Sequence, residues 1–357
     1  MKKTLSIIML AVLIACSNAP QEVKVGVTLP QTGISAALGK QMLQGLELAA
    51  NETGNPLTLV IEDDACDAKA GVTATQKLLE VDNVDAIIGP ICTVAILSSA
   101  EMVEEAKVPR ITTGMVLQKT ANAGPYHFSF LVEMKHQMRA IASYAKAHSI
   151  KSLGAIAIND DLGKESIAEL KSALQEEGIS VSAEEYFEKP ETDFKTHIEK
   201  VQSKSPNAIY LMGYAPNLVG IIKQSHELGI TVPLLTWNLF QDPSIIKGLG
   251  VLAENVTYTF PEDPRNLPIK SAFKEHFRQV YGVEPGLYAA NAYDSYMILA
   301  RAVQKCQNDK ECLKNELGNV RNFEGANGFI TVDERGVGQR SEVSLKTVAD
   351  GKFVTIS

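Results

Sequence analysis

The sequence predicts an α/β protein built as two doubly wound, mostly parallel-sheet lobes joined by a hinge. Three observations carry this. The chain has 357 residues, which at about 150 residues per domain suggests two units. Short β-branched runs alternate with helical patterns at α/β intervals, the mark of a parallel sheet covered on both faces. And the alternation, complete once by about residue 136, begins again with the same design.

In chain order, Val23–Leu29 is β-branched, bounded by Pro30, and reads as a strand. Gly39–Asn51 has apolar residues at helical spacing. Leu57–Ile61 is a strand, Gly71–Glu80 a helix, Val84–Ile88 a strand closed by Gly89-Pro90, Val94–Ala106 a helix, and Pro109–Thr113 a short strand. The second round runs His136–His148 (helix), Leu153–Ile158 (strand), Gly163–Glu177 (helix) and Val181–Phe187 (strand). Phe194–Ser203 (helix), Ala208–Met212 (strand), Pro216–Leu228 (helix), Pro233–Trp237 and Val256–Phe260 (strands) complete it. Gly178 and Gly229 follow helices, as glycine commonly does. The proline-rich polar stretch Glu262–Pro268 reads as a crossover. Two helices, Ile269–Tyr281 and Tyr288–Cys306, precede strand patterns at Phe329–Val332, Val343–Val348 and Phe353–Ile356, the last two joined by an Asp350-Gly351 turn. The expected lobes are 23–136 with 262–323, and 137–261 with 324–357.

Composition excludes several classes. At 45% apolar and 21% charged the chain is neither disordered nor fibrous. A formal charge of −8 without a basic run suits neither nucleic acid nor anionic lipid. Beyond the first residues, no apolar run approaches the ~20 residues of a spanning helix.

The N-terminus reads as an address. Lys2 and Lys3 precede an apolar core, Leu5–Ala15, too short for a span and suited to a signal peptide at 1–15. It ends in Leu13-Ile14-Ala15-Cys16, which resembles a bacterial lipobox. Cys16 would carry lipid, and residues 16–22 would form a tether at the membrane surface. Four cysteines remain: Cys66, Cys92, Cys306 and Cys312. In an oxidising compartment they read as disulfides, with three pairings open. A local Cys306–Cys312 bridge is easy, and Cys66 and Cys92 each follow an apolar strand and would pair across neighbouring strand ends. A four-Cys zinc site lacks a Cys-x-x-Cys pair and a nearby His.

Catalytic motifs are absent from the sequence. There is no Gly-x-Ser-x-Gly elbow, no phosphate loop and no Gly-x-Gly-x-x-Gly, and the six His show no metal-ligand spacing. Asp63, Asp64 and Asp67 cluster at a strand end without calcium-loop spacing and read as caps. No enzyme activity, cofactor or metal is expected. In open parallel sheets ligands bind beyond the carboxyl ends of the strands, so the loops near 30–39, 63–67, 89–93, 112–116, 159–163, 213–217 and 236–242 are the place to look.

Those loops carry a resemblance. Leu29-Pro30-Gln31-Thr32-Gly33, Asp63-Asp64-Ala65-Cys66-Asp67 and Ile87-Ile88-Gly89-Pro90-Ile91-Cys92-Thr93 stand in order after the first three strands. Pro285-Gly286-Leu287-Tyr288-Ala289 with Tyr293-Asp294, and Phe323-Glu324-Gly325-Ala326-Asn327-Gly328, follow near the end. Together they resemble the type I periplasmic binding proteins of the leucine/isoleucine/valine-binding-like branch, which deliver solutes to ABC importers. The resemblance implies a hinged, monomeric two-lobe protein outside the cytoplasm, partnered by a small solute and a permease–ATPase complex. It implies a Cys66–Cys92 bridge beside Thr93, whose hydroxyl would hold the solute's carboxylate or amine, with helix capping as the rival role. Gly114 would offer backbone groups, and Tyr214 would close over the solute.

The chain departs from amino-acid binders at Val116, Leu38 and Leu162, where hydroxyl or Tyr residues are usual, and no acid stands in Thr236-Trp237-Asn238-Leu239. With Trp237 and Phe240 these make a more apolar pocket, Asn238 lying beside them. Asp160, Asp161 and Glu133 remain as ammonium partners. The expectation is a small amino acid, carboxylate or amide taken up by hinge closure, and the alternative is a sensor lipoprotein of the same fold.

Overall fold

The computed structural model describes residues 22–54, 57–340 and 342–356, so the expected leader and Cys16 lie outside the described residues. The first lobe opens with β1 (Lys24–Leu29), α1 (Ala36–Thr53), β2 (Thr58–Asp63), α2 (Ala68–Gln76), β3 (Ala86–Ile88), α3 (Thr93–Ser98), α4 (Ala100–Ala106), β4 (Arg110–Thr112), α5 (Gln118–Ala121) and β5 (His127–Ser129). These five strands form one parallel sheet in the order β2-β1-β3-β4-β5. β1 lies inside the sheet, between β2 and β3, and Val25, Val27 and Leu29 are buried together with the residues between them. A strand covered on both faces needs a continuous apolar run, not an alternating one.

The chain then crosses to a second sheet through α6 (Met134–Ala147), β6 (Ser152–Ile158), α7 (Asp161–Glu176), β7 (Ser180–Phe187), α8 (Lys195–Gln202), β8 (Ala208–Met212), α9 (Ala215–Glu227), β9 (Leu234–Thr236), α10 (Pro243–Leu249) and β10 (Thr257–Pro261). It returns to the first lobe with α11 (Pro268–Tyr281), α12 (Leu287–Cys306) and α13 (Lys310–Gly318), and a small hairpin follows, β11 (Phe323–Gly325) with β12 (Gly328–Ile330). β13 (Val343–Ala349) and β14 (Lys352–Thr355) finally join the second sheet, antiparallel at its edge, giving β14-β13-β10-β9-β8-β6-β7. The hairpin turn and the segment between the hairpin and β13 are held to the first lobe. Asp294 on α12 accepts from Ala326 N at 2.6 Å and from Arg340 at 3.0 Å, and Val337 bridges to Ser129 of β5.

α12 lies against α1 so closely that a Cβ on Gly45 would stand 2.1 Å from the Ala289 carbonyl oxygen. The expected helix over 94–106 is two helices broken at Ser99. Its hydroxyl donates to Ala95 O at 2.6 Å and accepts from the buried Arg110 guanidinium at 2.7 Å, so the side chain competes with the helix backbone. Five short elements (β5, α5, α10, α13, β11) give too little periodicity to read from sequence.

Both disulfides form: Cys66–Cys92, with Cα atoms 5.3 Å apart, and Cys306–Cys312. This removes the zinc alternative. The strand ends joined by the first are not neighbours, since β1 lies between β2 and β3. The bridge therefore arches over the end of β1.

Loop-closure entropy ranks the two bridges. For sequence separations of 26 and 6 residues, it gives about 3.5 and about 2 kcal/mol. Replacing Cys66 and Cys92 together by Ala should cost more stability in urea unfolding than replacing Cys306 and Cys312. An equal or reversed order would contradict it.

Candidate functional site

Two first turns set the walls of a cleft between the lobes. In α1, a Cβ on Gly39 would stand 1.9 Å from the Pro30 carbonyl oxygen; in α7, one on Gly163 would stand 1.9 Å from that of Ile158. Only glycine lets these helix starts sit so close to the strand ends. Each glycine is preceded by a leucine, and Leu38 and Leu162 line the same small chamber from opposite lobes. Ile91, Cys92, Thr93, Met115 and Tyr288 complete the first-lobe wall, and Tyr214, Trp237 and Leu239 the second. The chamber is about 10 Å³, the room of about one water. A solute enters only when the lobes part or side chains turn.

Five of the expected site residues, Leu38, Thr93, Leu162, Tyr214 and Trp237, therefore meet at one place. Thr93 is the first residue of α3 and does not cap it; the N-cap is Cys92. Trp237 is 2% exposed, and its indole N–H donates to Gly213 O at 2.9 Å, which fixes the ring beside Tyr214. Three others lie elsewhere. Gly114 is packed against the chain: a Cβ there would stand 1.9 Å from Ile91 O. Val116 faces a separate cavity of about 210 Å³ with Glu133, Glu169 and Arg335. Asn238 borders a neighbouring cavity, accepts from Gln137 at 3.1 Å and donates to the Tyr288 hydroxyl at 3.5 Å. Phe240 belongs to the second-lobe core, its ring 5.3 Å from that of Tyr258.

The acids considered as ammonium partners are engaged. Asp160 caps α7, accepting from Gly163 N at 2.9 Å. Asp161 pairs with Lys119 of the other lobe at 2.6 Å. Glu133 takes two hydrogen bonds from Arg335, at 3.0 and 3.2 Å. Burial opposes the charge on Glu133, but Arg335 and Lys135 outweigh it and hold the carboxyl below its usual range.

Sequence reasoning did not find Met115, Tyr288 or Lys189 as site residues. Lys189, on the loop after β7, donates across the cleft to the Cys66 carbonyl at 2.6 Å and lies 5.6 Å from the centre of the Tyr214 ring. The Tyr214 hydroxyl donates to the Cys66 sulfur at 3.5 Å. Two second-lobe side chains thus end on one first-lobe residue. Burial pushes the Tyr214 and Tyr288 hydroxyls up, Tyr288 to about 12, so both stay protonated as donors. Asp64 is fully buried. One carboxylate oxygen accepts from Cys66 N at 2.8 Å and the other has no partner. Burial, helped by repulsion from Asp63, pushes its carboxyl up to about 6 against the pull of Cys66 N and Lys189.

Hydroxyls and apolar side chains thus converge on one chamber between the two α/β lobes. The chain belongs to the periplasmic binding protein family: the family model described as "Periplasmic binding protein" matches residues 22–345. The family consists of solute-binding proteins, not enzymes, and works outside the cytoplasm. Among the described residues no helix is long and apolar enough to cross a membrane. The chain is 26% identical over 312 residues to an amino acid binding protein of Pseudomonas aeruginosa, covering 84% of this chain and 83% of that one. It is 23% identical over 334 residues to the leucine-, isoleucine-, valine-, threonine- and alanine-binding protein of the same organism, covering 90% and 88%. A crystal structure of a leucine-binding protein from Thermotoga maritima superposes with a TM-score of 0.89 at 27% identity, covering 94% of this chain and 98% of that one.

Asp64 gives a stability prediction. Its folded pKa, about 6, lies above the ordinary aspartate value of 3.8. A raised carboxyl favours the fold at low pH, and that contribution is lost as pH rises from 3.8 through 6. Asp64→Asn keeps the acceptor for Cys66 N and removes the charge. It should stabilise the protein by on the order of 2–3 kcal/mol at pH 7.5 and by nearly nothing at pH 3.5. Urea unfolding at the two pH values checks this; a variant less stable than the parent at pH 7.5 refutes it.

Proposed function

We propose that the chain is the receptor of an ABC importer, a monomer lipid-anchored at Cys16, which captures a small solute by closing its lobes. The solute bears a carboxylate or amide, amino acids included. The observation that supports this best is the convergence of Thr93, Tyr214 and Trp237 with Leu38 and Leu162 around one chamber. Neutral hydroxyl donors suit a carboxylate or amide, and the leucines suit an apolar remainder. Contacts to both lobes favour the closed form by differential affinity. The relatives named for leucine, isoleucine and valine keep amino acids first in line. None of the chamber's lining residues is acidic, which favours solutes without an amine.

A thermal-shift panel of the twenty amino acids, then aliphatic and aromatic carboxylates and amides, tests the class. The protein is first unfolded and refolded to strip any carried ligand. A solute at ~100 times its dissociation constant adds ~2.7 kcal/mol, a shift of a few degrees. Silence across the panel would refute the proposal. With the solute in hand, Thr93→Val removes one hydroxyl at constant volume and should weaken binding by ~1–3 kcal/mol. Unchanged affinity by calorimetry would take Thr93 out of the site.

The anchor has its own test. Cys16→Ser should release the chain from membranes into the soluble extracytoplasmic fraction and abolish labelling by a radioactive fatty acid. Persistent membrane association or labelling would refute lipidation at Cys16.

A further inference from the structure

The room in the closed cleft lies mostly outside the chamber. The space beside Thr93, Tyr214 and Trp237 is about 10 Å³, whereas a second cavity between the same lobes is about 360 Å³. The larger one falls within the size range of ligand pockets and the smaller far below it. Leu38, Leu239 and Tyr288 line both, so these three side chains form the shared wall. The two leucines can turn by a rotamer change without breaking a hydrogen bond. Tyr288 gives up only the 3.5 Å contact from Asn238.

The lining of the larger cavity suggests what would enter. α1 contributes Gln44, the first lobe the rings of Phe277 and Tyr281, and the second lobe Gln241, Phe260 and Phe353. Its acids are already used: Asp242 caps α10 at 2.8 Å from Ser244 N, and Glu284 pairs with Arg278. Lys40, its cation, is exposed to solvent. Rings and amides without an unpaired buried charge suit an uncharged, apolar group.

We infer that the two cavities are the inner and outer ends of one binding cleft and that the solute is elongated. Its carboxylate or amide head meets Thr93 and Tyr214, and an uncharged aromatic or long aliphatic tail passes Leu38 and Leu239 into the larger cavity. This rests on the solute-receptor reading above and narrows the solute class.

Calorimetry on the refolded chain from residue 22, which carries both lobes entire, tests it with matched probes. The pairs are phenylacetate against 5-phenylpentanoate and phenylacetamide against 5-phenylpentanamide. The longer member of at least one pair should bind at least tenfold more tightly. Gln44→Trp, which fills the outer cavity, should erase that gain and leave the shorter member's affinity unchanged. Val283→Trp, at a half-exposed position on the same rim, is the second filling variant should the first fail to fold. Short probes that bind as tightly as long ones overturn the two-compartment cleft and leave the receptor reading standing. A gain that survives both filling variants also overturns it. Failure of all four probes overturns it too, and only a silent wider panel takes the receptor reading with it.

Discussion

The bond between Cys66 and Cys92 joins loops that the sheet keeps apart, since β1 runs between the strands that lead into them. For the sulfur atoms to meet, the first loop must turn back sharply. It does so through two consecutive non-glycine residues with positive φ, Ala65 at 47° and Cys66 at 55°. Such backbone is costly unless the surroundings hold it. Asp64 holds it by accepting from Cys66 N, which is why a carboxylate is buried there and why its ionisation is disfavoured. The strained turn, the buried acid and the bridge are one arrangement. Its product is a fixed position for Ile91, Cys92 and Thr93, the floor of the chamber. A floor ordered in advance costs a solute less to bind than one it must order itself.

The second lobe closes onto that same residue. Lys189 and Tyr214 both reach Cys66, one through its carbonyl and one through its sulfur. A charge-assisted bond in a half-buried setting outweighs an exposed ion pair. The Lys119–Asp161 contact also spans the lobes, but its side chains are 57% and 42% exposed, so solvent screens it and it holds the lobes less firmly. At the other end of the cleft Glu133 and Arg335 tie two of the crossing segments together. The lobes are thus tethered by ion pairs at the hinge and meet through polar contacts at the chamber's rim.

Much of this was legible in the sequence because parallel sheets write plainly. Strands covered on both faces appear as unbroken apolar runs, as in Leu153–Ile158 and Ala208–Met212, and the loops at their ends carry the site. The loops that carry Leu38, Leu162, Thr93, Tyr214 and Trp237 were readable for that reason, and the family resemblance singled out Thr93, Tyr214, Leu38 and Leu162 on them. The site failed to read where a side chain's direction or a distant partner decides. Extended backbone turns neighbouring residues to opposite sides, so Met115 faces the chamber and Val116, one residue on, faces another cavity. Lys189 meets a carbonyl 123 residues away, and nothing local marks it. The break at Ser99 has the same origin, because the guanidinium that draws its hydroxyl comes from β4.

The distribution of charge around the cleft then bears on selectivity. Asp160, Asp161, Glu133 and Asp242 each already serve a helix cap or an ion pair. A solute ammonium entering the chamber would have to break one of these or remain without a counter-ion, and an unpaired buried charge costs several kcal/mol. Asp64 has a buried oxygen without a partner, but it lies behind the Cys66 turn and is not among the residues lining the chamber. A carboxylate or amide faces no such conflict, since the Tyr214, Tyr288 and Thr93 hydroxyls can donate without giving up a charge. The apolar neighbours Leu38 and Leu162 then act on what is attached to that head group. On the receptor reading proposed above, such a cleft would commit polar groups to one end of the solute and leave the other to size and shape, so that an amino acid would bind only by giving its ammonium one of these engaged acids.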